Sequence, residues 1–477
     1  MAMLTLKTLP AEIQMHIASL CDLKTRKAWR LTCMTLYRAD SVLPLGQVYL
    51  AARDKTLTET QAICNDKQYC TKATGLVIDI LMYEEVAWQN NSLLRAMYVA
   101  KQDLRKPGQR WSLSSARSEH SQLFKNQQQC IVQRGGDRFR KTLLKALKQL
   151  ENIETITITD KFSEWYYKEG PLSWDVKSAP FPAHSTEYTL GCLTMALMGG
   201  LWRTRLTRHV KTKSFVTDIL GDSKFQKTIA GLPYDAMFWG VRSFIKNDDS
   251  VFQGVFNGFE HLSIDISHRR HYKGYGEHPR TVAGHVTPRQ KREEWLGIGK
   301  MIAGAENLLS LDLRFPDDIL EEGHFDALLG PSRWINLTSL RLFSVQASAE
   351  SLTRVLESHT NLKTLVLIRI GISGDLQTTG AAGPLAHPID DLPVWADLAG
   401  RVAAVLTLNA VALFCLTEVG GHLNQEFRCD LWPECRYTEV ENAILSDRIN
   451  EWNWQGEYQI PEEMTMCNED DEDDLIL

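Results

Sequence analysis

The sequence has no paired cysteines of the kind that form zinc sites or disulfide frameworks. Its ten cysteines are scattered over 477 residues without one C-x-x-C pair, so we expect reduced thiols, no metal and a location in the cytosol or nucleus. Residues 1–6 contain no apolar run of signal-peptide length. The most apolar stretch, 402–416, is short for a membrane helix. It favours a buried helix or a pair of strands, and no membrane partner is expected.

Catalytic motifs are also missing. The sequence has no G-x-S-x-G, no H-E-x-x-H and no phosphate-binding G-x-x-x-x-G-K-[ST] motif. We therefore expect a non-catalytic protein without a cofactor.

Charge of one sign is concentrated only at the C-terminus. The formal net charge is -6, and the last 17 residues hold eight carboxylates and no Lys or Arg. The rest of the chain is close to neutral, which does not indicate nucleic acid as a partner. Residues 461–477 are predicted to form an acidic disordered tail.

The N-terminal segment carries an apolar stripe on a short helix. Leu9, Ile13, Ile17 and Leu20 recur at helical spacing, and Pro10 is suited to the first turn, where its missing N–H costs nothing. A second helical pattern follows before residue 37. Two or three short helices in about 35 residues bury too little apolar surface to fold without support, so the stripe packs either on a partner or on the rest of this chain.

The segment LPAEIQMHIASLCDLKTRKAWRLTCMTLY (9–37) resembles an F-box. That family opens on Leu-Pro-x-Glu-Ile and has a second helix that ends in Leu-Thr-Cys, and both features are present. The second helix is more polar here than in many members. The resemblance implies a three-helix module over 1–45 that docks onto a Skp-family adaptor and, through it, a cullin. It implies adaptor contacts from Leu9, Pro10, Ile13, Ile17, Leu20, Leu31, Cys33 and Leu36.

A repeated pattern follows the N-terminal segment. A strand, a helix and a strand are predicted at 46–50, 55–64 and 75–80, which is typical of a parallel α/β arrangement. The form Asn-Φ-x-x-Φ-x-Φ, where Φ is apolar, occurs in NIETITI (152–158), NLLSLDL (307–313), NLTSLRL (336–342) and NLKTLVL (361–367), and GFEHLSI (258–264) has Gly in the Asn place. Leu311, Leu340 and Leu365 are 29 and 25 residues apart, which is typical of leucine-rich repeats.

These patterns predict an α/β fold with an N-terminal three-helix F-box, an irregular leucine-rich-repeat solenoid of parallel strands plus helices, and a C-terminal cap. The predicted divisions are the F-box at 1–45, first α/β repeat-like units at 46–160, an irregular helical insertion at 161–257, repeats at 258–375 with a basic loop at 268–292, a cap at 390–460 and the tail at 461–477.

The alternate positions of the repeat strands are expected to be exposed on a concave face. They are Ser310, Asp312 and Arg314, then Ser339, Arg341 and Phe343, then Thr364, Val366 and Ile368. The basic loop has seven Lys or Arg against one Glu, which favours a solvated loop, with an acidic or phosphorylated client segment or RNA as alternatives. The candidate client-binding residues are Arg314, Arg341, Phe343, Arg269 and Arg270.

An F-box followed by irregular repeats resembles the substrate-receptor class of F-box proteins, in the style of fungal members. The expected function is therefore substrate recognition in an SCF-type cullin–RING E3 ubiquitin ligase, with an unknown protein client. The alternative is a non-catalytic interaction scaffold that acts outside a ligase. The sequence names neither the client nor the signal on it.

Overall fold

The computed structural model describes a chain of helices and parallel strands. The described residues are 9–21, 46–80, 113–132, 138–159, 187–207, 211–219, 231–243, 250–268, 287–316, 319–330, 332–373, 398, 401–402, 404–414 and 417–419. The chain divides into two compact units, of which unit 1 is Met1–Phe259 with Arg269–Val282 and unit 2 is Glu260–His268 with Ala283–Leu477.

Unit 1 contains a parallel sheet. Its helices are α1 (Ala11–Leu20), α2 (Asp54–Asn65), α3 (Lys67–Cys70), α4 (Leu113–Val132), α5 (Arg138–Gln149), α6 (Glu187–Thr207), α7 (Tyr234–Arg242) and α8 (Ser250–Gln253). Its strands are β1 (Gly46–Ala51), β2 (Ala73–Asp79), β3 (Thr155–Thr159), β4 (Ser214–Asp218) and β5 (Leu232–Pro233). Strands β1 to β4 pair in chain order, each parallel to the next.

Unit 2 repeats the same plan. Its strands are β6 (His261–Ser267), β7 (Ser310–Arg314), β8 (Ser339–Ser348), β9 (Thr364–Ser373), β10 (Ala410–Phe414) and β11 (Thr417–Val419). The helices α9 (Pro288–Ala303), α10 (Glu322–Leu329) and α11 (Ala349–Glu357) connect successive strands. Strands β6 to β10 pair parallel in chain order, and β11 also pairs with β9.

The leucine positions of the predicted repeats lie directly opposite one another. Leu262 pairs with Leu311, Leu311 with Leu340, and Leu340 with Leu365. All four are no more than 1% exposed, and burying each one stabilises the fold by about 1.5–3 kcal/mol. The predicted alignment and the α/β class are therefore confirmed.

Two helices of unit 2, α9 and α11, start at residues whose side chains cap them. The Thr287 hydroxyl accepts a hydrogen bond from the Gln290 N–H at 3.2 Å, with Pro288 following it at the start of α9. The Ser348 hydroxyl accepts from the Ser351 N–H at 3.1 Å at the start of α11. Such caps satisfy N–H groups that the helix itself cannot pair. The apolar faces of α9, α10 and α11 then bury large side chains such as Trp295, Phe325 and Leu352.

Four strands lie in ranges whose predicted divisions name no strand: β4 and β5 in 161–257, and β10 and β11 in 390–460, although a pair of strands was one of the two expectations for 402–416. Strand β4 pairs with β3 inside 161–257, which was predicted as a helical insertion. Strand β10 pairs with β9 inside 390–460, which was predicted as a cap. The part of the predicted cap beyond residue 419 and the whole predicted tail lie outside the described residues.

The close packing of α9 on α10 depends on a glycine. A Cβ atom at Gly299 would lie within 3 Å of the carbonyl oxygens of Ala327 and Leu328, and backbone atoms of a packed helix have little room to move. At Gly323, in the first turn of α10, a Cβ would meet nothing within 4 Å.

We expect Gly299→Ala to destabilise unit 2 by about 1–3 kcal/mol because it overpacks this contact. The matched variant Gly323→Ala should be neutral or stabilise by about 0.5–1 kcal/mol, since alanine is the better helix former. Urea unfolding measures both. Equal effects of the two substitutions would contradict the packing argument.

His359 is buried in unit 2, and both of its ring nitrogens make hydrogen bonds as a neutral imidazole. Its Nδ1 lies 2.6 Å from the Val355 carbonyl oxygen, and its Nε2 accepts from the Trp334 N–H at 3.2 Å. Desolvation by burial lowers the pKa of His359, partly opposed by the bond to Val355. Desolvation likewise lowers the pKa of the buried His324.

Unit 2 should therefore lose stability in mild acid. Both folded-state pKa values are lowered, so stability is fully present above the ordinary histidine pKa of about 6.5 and falls as the unfolded chain binds protons below it. Each histidine adds at most about 1.4 kcal/mol per pH unit to this slope. Urea unfolding between neutral pH and mild acid measures it. A His359→Gln variant should show a shallower slope, and an unchanged slope would contradict this assignment.

Candidate functional site

Helix α1 presents its large apolar side chains outward. Gln14 and Ala18, one turn apart, are buried, and the Gln14 Nε2 donates to the Leu9 carbonyl oxygen at 2.8 Å. Ile13 is 46% exposed and Leu20 is 76% exposed. A surface helix ordinarily buries its apolar stripe, so α1 is arranged the opposite way from a helix that stabilises only its own chain.

Ile13, Ile17 and Leu20 follow one another at i, i+4 and i+7 along α1, with Ile17 half-buried. Together with the half-buried Leu9 they are here named the α1 ridge. The alternative that the stripe packs within this chain is wrong for Ile13 and Leu20. Pro10 is exposed and sits just before the helix, where its carbonyl accepts from the Gln14 N–H at 3.0 Å. Of the other predicted adaptor contacts, Leu31, Cys33 and Leu36 lie outside the described residues.

The second candidate surface is the face of the unit 2 sheet opposite the leucines. Parallel strands in register place paired side chains on the same face, and every second residue along a strand returns to it. This face therefore has three rows that cross the strands. Row 1 is His261, Ser310, Ser339 and Thr364; row 2 is Ser263, Asp312, Arg341 and Val366; row 3 is Asp265, Arg314, Phe343 and Ile368.

Row 3 is sealed. Asp265, Arg314, Phe343 and Ile368 are all no more than 5% exposed. The expectation that Arg314 and Phe343 are exposed to a client is therefore wrong, because strand alternation predicts the direction of a side chain but not what covers the face. Val366 and Asp312 in row 2 are buried as well. Arg269 and Arg270 lie outside the described residues.

Arg314 is held by a buried ion cluster. Its Nε lies 2.7 Å from Asp265 Oδ1 and 3.9 Å from Asp312 Oδ1, and its Nη2 donates to the Ser263 hydroxyl at 3.2 Å. That hydroxyl in turn donates to Asp312 Oδ2 at 3.2 Å. A buried charge needs such partners to offset its desolvation. Arg314 is therefore committed to the fold.

Row 1 is open. His261 is exposed, and Ser310, Ser339 and Thr364 are half-exposed. Arg341 in row 2 is half-exposed too. The accessible part of this face is thus its edge at the beginning of the strands. The sequence pattern predicted the members of this edge but did not separate them from the buried positions.

Comparison with known proteins does not assign the chain to a family. No family model matches the chain, and no curated protein matches it significantly. Among solved structures, the crystal structure of the Rad7 and Elc1 complex in yeast is similar over 84% of this chain and 88% of that chain, at 11% identity and a TM-score of 0.20. A similarity of that size carries no argument about this chain.

None of the helices in the described part of the chain is both long and apolar enough to cross a bilayer.

The two arginines of this face should respond differently to the same substitution. Arg314→Gln leaves Asp265 buried without its ion pair and should destabilise unit 2 by about 3–5 kcal/mol. Arg341→Gln removes a half-exposed cation and should change stability by no more than about 0.5 kcal/mol. Urea unfolding of both variants tests the distinction, and a large loss for Arg341→Gln would show that it too belongs to the buried cluster.

Proposed function

We propose that this chain is the substrate-recognition subunit of an SCF-type cullin–RING E3 ubiquitin ligase. In this proposal α1 docks onto a Skp-family adaptor and the strands of unit 2, as leucine-rich repeats, hold a protein client. The observation that carries the proposal is the α1 ridge. It coincides with the positions at which the F-box resemblance implies adaptor contacts.

The geometry of α1 suits a helix that is laid into a partner's groove. Such helices are anchored by apolar residues at i, i+4 and i+7 spacing, which is the spacing of Ile13, Ile17 and Leu20. Complete burial of each is worth about 1.5–3 kcal/mol. Three anchors together can offset the entropic cost of association, so a stable complex is expected.

The role proposed for the chain is positional rather than chemical. Other subunits of the ligase would supply the ubiquitin thioester, and this chain would hold a client lysine beside it. Holding two reacting groups together in the right geometry is itself a large contribution to rate. A chain that binds a client on unit 2 and an adaptor through α1 would link the two by one polypeptide.

Ile13→Asp should abolish co-purification with a co-expressed Skp-family adaptor, because it buries an unpaired carboxylate in an apolar groove. The matched control is Ile335→Asp, which makes the same change at an isoleucine of unit 2 that is 79% exposed. This control should bind the adaptor like the wild type. Thermal unfolding of all three proteins checks that each is folded.

Adaptor binding by Ile13→Asp at the wild-type level would overturn the docking assignment. Failure of the wild-type chain to bind any Skp-family adaptor would instead favour a scaffold that acts outside a ligase.

A further inference from the structure

Arg341 lies at the boundary between the sealed and the open part of the unit 2 face. In the pairing of β7, β8 and β9, it has Asp312 on one side and Val366 on the other. Asp312 is the nearest acidic position, but it accepts from Ser263 and lies beside Arg314. Within the described part of the chain, no hydrogen bond or ion pair engages the Arg341 side chain.

The side chains next to Arg341 in row 1 include three hydroxyl groups. Ser310, Ser339 and Thr364 carry half-exposed hydroxyls on neighbouring strands, and adjacent strands are about 4.8 Å apart. Among the described residues none of these three hydroxyls has a side-chain hydrogen bond. A guanidinium with five donors beside a row of hydroxyls, each both donor and acceptor, is complementary to an oxyanion attached to a peptide backbone.

The charge of the face limits which oxyanion it suits. The carboxylates Asp265 and Asp312 balance the cations Arg314 and Arg341, so the four charged groups have no net formal charge. A bound carboxylate adds one negative charge beside Asp312, whereas a phosphate monoester adds about 1.5 to 2. With only one uncommitted cation and a buried carboxylate on the adjacent strand, the site favours the smaller charge.

We propose that Arg341 binds the carboxylate of an Asp or Glu side chain in an extended segment of the client, with Ser310, Ser339 and Thr364 hydrogen-bonding the client backbone around it. This inference rests on the proposed function, since it names the chemical class that the receptor recognises. The planar guanidinium of Arg341 would hold the carboxylate through two parallel N–H···O bonds. The acid would be one anchor of the client and not part of a long acidic run.

A peptide array tests this inference. The probes are 12-residue peptides with a central Asp, Glu, Asn, Gln or phosphoserine and randomised flanking residues, incubated with the purified full-length chain. We expect Asp and Glu peptides to be retained over their Asn and Gln counterparts. For the acidic peptide that binds most tightly, Arg341→Gln should raise the dissociation constant at least about tenfold, as expected for loss of hydrogen bonds to a charged group.

Two further variants test whether the effect comes from the charge of Arg341, from its paired donors or from the loss of any arginine in unit 2. Arg341→Lys keeps the charge but loses the fork of parallel donors, and it should fall between the wild type and Arg341→Gln. The control Arg333→Gln removes an exposed arginine of unit 2 that lies outside the strands, and it should bind like the wild type. Thermal unfolding checks that the variants are folded.

Three outcomes would overturn the inference: retention of phosphoserine peptides over acidic ones, acidic binding that Arg341→Gln leaves unchanged, or no retention of any Asp or Glu peptide over its Asn or Gln counterpart. The array does not involve α1. Its failure therefore leaves the adaptor assignment standing, while loss of adaptor binding with retained acidic selectivity would do the reverse.

Discussion

A recurring pair of backbone hydrogen bonds at the start of the strands fixes the register of the unit 2 sheet. The carbonyl of Leu309 accepts from the N–H groups of Thr338 and Ser339 at 2.9 and 3.1 Å, and the carbonyl of Thr338 accepts from Lys363 and Thr364 at 2.8 and 2.9 Å. The carbonyl of Glu260 accepts in the same way from the N–H groups of Leu309 and Ser310 at the start of β7. The carbonyl of Lys363 does so from Asn409 and Ala410 at the start of β10. In unit 1, the carbonyl of Glu154 accepts in the same way from the N–H groups of Lys213 and Ser214.

The consequence of these bonds is register. A slip of one residue between two strands would turn every leucine of one strand to the opposite face, and the leucine rows would no longer be buried by the helices. With the first residues of each strand fixed, Leu262, Leu311, Leu340 and Leu365 follow in one row. The hydroxyls of Ser310, Ser339 and Thr364 must then follow in a row on the other face. The surface proposed for the client is therefore a by-product of the bonds that build the core.

The sequence predicted the regular strands of this fold well and the degenerate ones poorly. Apolar residues at alternate positions after an asparagine predicted β3, β7, β8 and β9, and the pairing of these strands with their neighbours confirms them. In β4 the corresponding positions are Thr212, Phe215 and Thr217, and all three are buried. Two threonines in apolar positions concealed this copy of the repeat, although a β-branched side chain fits a strand as well as leucine does.

For strand β10 the sequence left a buried helix and a pair of strands open, for the opposite reason. It lies within 402–416, where nearly every residue is apolar, so no alternation marks the strand. Of the candidate site, helical spacing predicted the apolar stripe of α1, and the F-box resemblance implied that the stripe faces a partner. The burial of Arg314 and Phe343 could not be predicted, because periodicity within one strand contains no information on segments distant in the sequence that cover it.

The difference between Arg314 and Arg341 shows how one sheet face serves both folding and recognition. Both side chains belong to the same face of neighbouring strands, but Arg314 lies two residues nearer the end of its strand, where the face is sealed and Asp265 is within 2.7 Å. A buried ion cluster of this kind adds little net stability over an apolar packing. Within the cluster, Asp312 Oδ2 accepts from Ser263 of β6 and Asp312 Oδ1 lies 3.9 Å from Arg314 Nε. In the proposed complex, a client carboxylate at the open edge would meet a guanidinium that makes no ion pair among the described residues.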